Sequence, residues 1–346
     1  MKAVLYGSYP ACELARLKKF LRTPWQLVAI MDEAPAKRKA AELADADVLV
    51  TSKYQTSDPR APKLRLLQCS STGTEGLHLQ HLPSGCTVCN VFGHELGIAE
   101  YVMWAILDWS VDYRNIPSFL STGTWTVDEW ISMPNHCEAF EKTIGIVGFG
   151  HIGREVARRG KALGMKAIAL STWQNSRPDY ELLDQTFTMS DAKAFLARAD
   201  FIVVCCPLTA ETGGMIDARW IAAMRRNAVL IHVGRGPVVD EESLYMALKA
   251  RTIRGATIDV WYEYPKSARE RVCYSHYPFH ELSNVVVTPH VSGRSEESWD
   301  RRFQQIARNL DALACRTPLD NIIEHRVPLK IGGKNIAAHV AERCWY

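Results

Sequence analysis

The chain has 346 residues, long enough for two domains with sizeable cores. Its 47% apolar and 23% charged residues match a soluble globular protein rather than a disordered or fibrous one. A formal net charge of +3, with both signs interspersed, gives no reason to expect a nucleic-acid or membrane partner. Ten scattered cysteines fit a reducing compartment better than a disulfide framework, so a cytoplasmic location is expected.

Residues 1–6 read as a first strand and lack the longer apolar core of a signal peptide. A helix is expected around 11–21, a strand at 27–31, a helix at 37–44, and strands at 48–50, 64–69 and 86–91. This alternation predicts a parallel α/β sheet in its own right. Cys86 and Cys89 fall in the last of these strands with no second pair to complete a ligand set, so no metal is expected. A helix over 98–111 follows. It is too short to span a bilayer and carries Glu100 and Asp108. Residues 113–140 read as irregular.

Residues 143–147 form an apolar strand run that ends in Gly-Phe-Gly-His-Ile-Gly (148–153) and opens a helix. Gly148 permits a tight turn, Gly150 lets the backbone approach a ligand, and Gly153 lets the helix pack closely on the strand. With His151 and Ile152 at the start of the helix, this junction is a mould for a dinucleotide pyrophosphate, because free amides and the helix dipole face the phosphate oxygens. Ile152, Val156, Ala157 and Leu163 recur at helical spacing, and residues 166–170 give the next strand, which completes a βαβ unit. Further strands are expected at 201–205, 228–232, 257–260 and 285–288. A helix over 295–314 then returns to the first domain. Residues 326–346 read as an extension that packs on a neighbour.

Four segments follow strand ends, where open α/β sheets place their ligands. These are Pro207-Leu208-Thr209 with Thr212, then His232-Val233-Gly234-Arg235-Gly236, then Ile258-Asp259-Val260-Trp261, then Thr288-Pro289-His290. On this glycine loop and these segments, in this order and spacing, the chain resembles the D-2-hydroxyacid dehydrogenase family from about residue 64 to 309. The resemblance implies two Rossmann-like domains, each a parallel sheet flanked by helices, with the active site in the interdomain cleft. Residues 1–98 plus 291–346 would form the substrate domain and 99–290 the dinucleotide-binding domain. It also implies a homodimer, and an NAD(P)-dependent reductase that interconverts a small 2-oxo acid and its D-2-hydroxy acid by hydride transfer.

The chemistry asks for the residue types found. A guanidinium binds a carboxylate as a planar fork, and Arg235 is the candidate; it also polarises the carbonyl. His290 is the general acid, acting as base in reverse. Pro207, Thr212 and Asp259 would line the cofactor, with Asp259 near the nicotinamide face. The resemblance further implies a loop of backbone amides for the substrate carboxylate, and Ser71-Thr72-Gly73-Thr74 stands at its place, with Thr72 and Gly73 as contacts. His94 and His232 are lesser cleft candidates.

Two positions depart from the family pattern. The carboxylate that pairs with the histidine normally lies directly before a proline, where this chain has Tyr264 before Pro265, with Glu263 one residue early. Either a small backbone shift brings Glu263 to His290, or Tyr264 or another group orients the imidazole; Glu263 is the favoured catalytic partner. NAD-specific folds also place an acid at the end of the second strand. Here Leu170 is followed by Ser-Thr-Trp-Gln-Asn-Ser-Arg, with no acid before Asp179. Ser171, Thr172 and Arg177 would bind a 2′-phosphate that an acid would repel, so NADP is expected over NAD. Formate or phosphite oxidation, and a non-enzymatic NAD(H) sensor of the same fold, are the alternatives.

Overall fold

The computed structural model describes residues 1–112, 123–171, 181–265, 270–325, 329–331 and 334–336. It divides into two units: Met1–His94 with Pro265–Arg271 and Arg294–Tyr346, and Glu95–Tyr264 with Val272–Gly293. In chain order the first unit begins with β1 (Lys2–Tyr6), α1 (Ser8–Ala11), α2 (Leu14–Phe20), β2 (Gln26–Ile30), α3 (Ala36–Leu43), β3 (Val48–Thr51), β4 (Leu66–Cys69) and β5 (Thr87–Cys89). The second holds α4 (Glu95–Val111), α5 (Val127–Ile131), β6 (Thr143–Val147), α6 (His151–Ala162), β7 (Lys166–Leu170), β8 (Gln185–Phe187) and α7 (Ala192–Leu196). It continues through β9 (Phe201–Val204), α8 (Ala218–Ala222), β10 (Val229–His232), α9 (Glu241–Lys249), β11 (Gly255–Ile258) and β12 (Val285–Val287). The chain then returns to the first unit as α10 (Glu296–Cys315) and β13 (Ile322–His325), before a small antiparallel pair, β14 (Leu329–Ile331) and β15 (Lys334–Ile336).

In the first unit the sheet order is β13-β5-β4-β3-β1-β2, parallel except for β13, which runs antiparallel to β5. Strands β1, β3, β4 and β5 are buried along their whole length, as expected of a parallel sheet covered on both faces. One cover is α10. The Ser295 hydroxyl accepts the Ser298 amide at 3.1 Å, and Glu296 and Glu297 sit in the first turn, where the helix dipole favours acids. Trp299, Phe303, Ile306 and Leu310, three or four residues apart, then pack on Leu5, Val48, Val50 and Leu66. Each such side chain contributes roughly 1.5–3 kcal/mol on burial.

The second unit is built on a seven-stranded, wholly parallel sheet in the order β12-β11-β10-β9-β6-β7-β8. Chain order reverses at β6: β7 and β8 lie to one side, and β9 to β12 to the other. The carboxyl ends of β6 and β9 therefore flank the switch point where such sheets bind ligands. One apolar cluster fills each face. The two parallel-sheet domains expected from the sequence are thus present. Strands β8 and β13, the β14–β15 pair and helix α5 were not anticipated. Within the stretch read as irregular, Thr126 and Glu129 make a reciprocal capping box that starts α5.

Candidate active site

The loop after β6 is shaped by what it excludes. Gly148 has φ +96°, and a Cβ there would lie 2.8 Å from the backbone of Cys206. A Cβ on Gly153 would lie 2.5 Å from the Gly148 carbonyl oxygen and 3.0 Å from Ile146 Cγ2. Gly150 caps α6 with no side chain to occupy the first amides. Those amides, at the positive end of a twelve-residue helix, suit an anion. The cradle therefore fits a dinucleotide pyrophosphate. Ile152 packs partly into the core, and His151 Nδ1 lies 3.2 Å from Arg154 Nη2. Cys205 and Cys206 form the floor. Burial pushes both thiols up, Cys206 to about 12, which marks them as packing residues rather than nucleophiles.

Of the residues expected to choose the cofactor, Ser171 is half-buried and its amide donates to Phe187 O at 3.1 Å; Thr172 and Arg177 lie outside the described residues. Thr212 Oγ1 donates to Pro207 O at 2.7 Å and accepts the Thr209 amide at 2.7 Å, so this threonine knits the loop after β9 into a compact turn.

The ends of β10, β11 and β12 build a single network. Arg235 is half-buried on the loop after β10 and donates from Nη1 to Gly234 O at 2.9 Å. Asp259, just past β11, is fully buried. Its Oδ1 accepts the Thr288 hydroxyl at 2.6 Å and the Val291 amide at 2.8 Å, and its Oδ2 accepts the Ser292 amide at 2.9 Å. Tyr101 Oη lies 2.6 Å from the same Thr288 hydroxyl. The Asp259 carboxylate thus clamps the turn that carries His290. That clamp holds His290 at φ +56°, a left-handed conformation costly for a side chain with a Cβ and typical of functional positions.

His290 is exposed, and its Nδ1 lies 3.0 Å from Tyr264 Oη. The same phenol oxygen accepts the Trp261 amide at 2.9 Å, and the Trp261 indole donates to Thr288 O at 2.8 Å. Burial raises the Tyr264 phenol above its ordinary value, opposed by the hydrogen bond from Trp261 and the nearby Arg235 charge. The expectation that Glu263 pairs with His290 is corrected here. Glu263 is exposed, its amide is bound to Tyr274 O, and its charge acts on His276. The chain turns tightly enough after Trp261 that residue 264, not 263, comes back to the imidazole. His232 is no cleft residue either. It is fully buried, its Nε2 faces Gly236 O at 3.3 Å, and burial pushes it down to about 4.

In the first unit, Thr72 and Gly73 lie on the loop after β4. Thr72 Oγ1 donates to Val91 O at 2.7 Å and lies 3.2 Å from a ring nitrogen of His94; Asn90 Nδ2 donates to Thr72 O at 3.0 Å; and Ser71 Oγ donates to Gly73 O at 2.8 Å. The buried Ser70 Oγ and Asn90 Oδ1 have no hydrogen-bond partner. Among the described residues no cluster of His, Cys, Asp or Glu side chains is placed to hold a metal ion, and no helix is long and apolar enough to cross a membrane.

Comparison with known proteins gives these features a context. The family model described as the NAD-binding domain of D-isomer specific 2-hydroxyacid dehydrogenases matches residues 103–292. The chain is 31% identical over 291 residues to a glyoxylate reductase of Thermococcus gammatolerans, covering 81% of this chain and 83% of that one. It is 30% identical over 271 residues to a glycerate dehydrogenase of Methylorubrum extorquens, covering 76% and 80%. Among solved structures, an NADPH-dependent glyoxylate/hydroxypyruvate reductase from Sinorhizobium meliloti, in complex with NADP and sulfate, superposes with a TM-score of 0.73 at 24% identity, covering 93% and 98%. A D-isomer specific 2-hydroxyacid dehydrogenase from Lactobacillus delbrueckii, in its NAD-complexed form, gives 0.75 at 21% identity, covering 94% and 100%.

Proposed function

The chain belongs to the D-isomer specific 2-hydroxyacid dehydrogenase family and is accordingly an NAD(P)-dependent enzyme interconverting 2-oxo and D-2-hydroxy acids; we propose that its substrate is as small as glyoxylate or hydroxypyruvate and that it prefers NADPH. One observation carries this reading. Arg235 and His290 issue from the carboxyl ends of β10 and β12, in the same sheet whose β6 end carries the glycine cradle.

Gly148, Gly150 and Gly153, with His151 and Ile152, would hold the pyrophosphate, and Pro207 and Thr212 would wall the cofactor. Bound nicotinamide supplies the reducing equivalents at C2. Arg235 takes the substrate carboxylate as a planar fork and polarises the carbonyl. Thr72 and Gly73, on the loop after β4, offer backbone donors of the kind an anion takes. His290, with Nδ1 engaged by Tyr264, protonates the oxygen at C2. The NADPH preference rests on Ser171, Thr172 and Arg177, and on the absence of an acid before Asp179. Trp104, Leu107 and Val111 on α4, with Leu163 after α6, form an exposed apolar surface that we assign to a second copy of the chain.

The test is turnover of NADPH and of NADH with glyoxylate, hydroxypyruvate, pyruvate and phosphonopyruvate. Faster turnover with NADPH on one of them is expected. Turnover with NADH alone would end the NADPH assignment, and none with any pair would end the substrate assignment. Light scattering should give a dimer, and Trp104→Glu a monomer; a monomeric parent protein would remove the dimer surface.

A further inference from the structure

One carboxylate holds the His290 turn from both sides. Asp259 Oδ1 accepts the Thr288 hydroxyl before the imidazole and the Val291 amide after it. The Val291 link is a backbone amide, whose direction the chain fixes. The Thr288 link runs through a side-chain hydroxyl, whose hydrogen rotates to suit its neighbours. Tyr101 Oη lies 2.6 Å from Thr288 Oγ1, which in turn lies 2.6 Å from Asp259 Oδ1. A hydroxyl has one hydrogen, and an ionised carboxylate only accepts. The Thr288 hydrogen is therefore spent on Asp259, and Tyr101 is the donor to Thr288. Both separations are at the short end for O–H···O bonds, as befits a chain of hydroxyls that ends on a charge.

We propose that Tyr101 is a further positioning residue for the reaction: by donating to Thr288 it fixes the Thr288–Asp259 bond, and with it the left-handed turn from which His290 acts. This role is the same whichever ring nitrogen of His290 carries a proton and whatever else the imidazole touches. The helix that carries Tyr101 is suited to it. Further along α4, the buried Trp109 indole donates to Thr257 Oγ1 at 2.9 Å, on the strand that leads to Asp259. The helix thus grips β11 as well as the turn after β12. The Thr288 carbonyl is taken separately by the Trp261 indole at 2.8 Å, so the backbone and the side chain of residue 288 are held from different elements. The Tyr101 phenol also stays a donor. Burial, with the Asp259 charge, raises it above its ordinary value, against the pull of the Thr288 bond. Its ring packs on Trp104 at 5.2 Å between centroids, a contact that phenylalanine would keep.

This inference rests on the reading of His290 as the proton donor, so one arm of its test needs no substrate. In nitrogen-15 NMR of the ring-labelled protein, with His290 identified by its loss in His290→Ala, Tyr101→Phe should shift and broaden the His290 signals. Signals that stay in place overturn the proposal whether or not any 2-oxo acid is turned over. Signals that move in a protein reducing none of the 2-oxo acids would end the substrate assignment and leave the Tyr101 link intact. The parent protein decides even where Tyr101→Phe folds poorly. With tyrosine labelled at Cζ, the Tyr101 hydroxyl should exchange slowly with solvent, and rapid exchange would overturn its donation to Thr288. The kinetic arm uses whichever 2-oxo acid is reduced. Tyr101→Phe should lower kcat roughly threefold to tenfold, the worth of one hydrogen bond, with the KM for cofactor unchanged. In Thr288→Val, where the acceptor is gone, the same substitution should change kcat by less than about twofold. In Thr288→Ser, which keeps the hydroxyl, the full loss should return. An equal loss in Thr288→Val would mean that Tyr101 acts by another route, and a lower melting temperature with kcat unmoved would mean that it only packs.

Discussion

The loop after β6 and the turn after β12 both present backbone at the carboxyl edge of one sheet, yet they are held by opposite means. The glycine loop is kept open by the missing side chains of Gly148 and Gly153: Cys206, Ile146 and the Gly148 carbonyl stand so close that no Cβ fits there. The His290 turn is held closed by partners, with three donors converging on the buried Asp259 and a fourth contact at Tyr264. A site made by exclusion tolerates nothing added. A site made by convergence tolerates nothing removed, and its failure spreads to every group that shares the anchor.

Substitutions can separate the two. His290→Ala has the largest expected effect, a fall in kcat of about 10²–10⁴-fold, while NADPH affinity measured by calorimetry stays unchanged. Loss of cofactor binding in that variant would show that the regions are coupled. His232→Asn probes the packing beneath Arg235. The unfolded imidazole takes up a proton near its ordinary value, whereas the folded one does so only near 4, so stability is full above about 6.5 and declines as the pH falls toward 4. Replacement by Asn should remove that decline, on the order of 3 kcal/mol at its acid end. Melting curves of equal pH slope for the two proteins would refute a buried neutral His232. Asp259→Asn keeps the shape but removes the charge and turns one acceptor into a donor, at about 1.5–3 kcal/mol by thermal unfolding, with kcat falling more than KM rises. Gly148→Ala should cost about 1–2 kcal/mol for the left-handed backbone, with the clash against Cys206 in addition, and weaken NADPH binding, leaving the pH dependence of the rate untouched. A shifted profile there would break the distinction.

The same contrast decides what could be read from the chain. The glycine loop is local, six residues whose spacing states the geometry, and the strand order around it follows from alternating elements. The His290 network gathers residues 101, 259, 261, 264 and 288–292, and no local pattern announces it. The family pattern brought Arg235 and His290 into view, but the choice between Glu263 and Tyr264 depended on how sharply the chain turns after Trp261. Asp259 was visible as a strand-end acid, yet its burial and its three donors exist only in the folded arrangement. The capping box at Thr126 and Glu129 was legible in principle and was hidden by the turn-forming residues around it.

The return of α10 to the first sheet bears on how the molecule is made. Leu5, Val48, Val50 and Leu66 leave the ribosome early, but Trp299, Phe303 and Leu310, which cover them, are synthesised after the whole of the second unit. During translation the nascent first sheet must therefore wait with an apolar face only partly covered by α2 while the intervening unit, nearly continuous in sequence, completes its own core. Truncation after Gly293 should accordingly yield aggregation-prone chains, because the α10 side chains that cover much of that face are then missing.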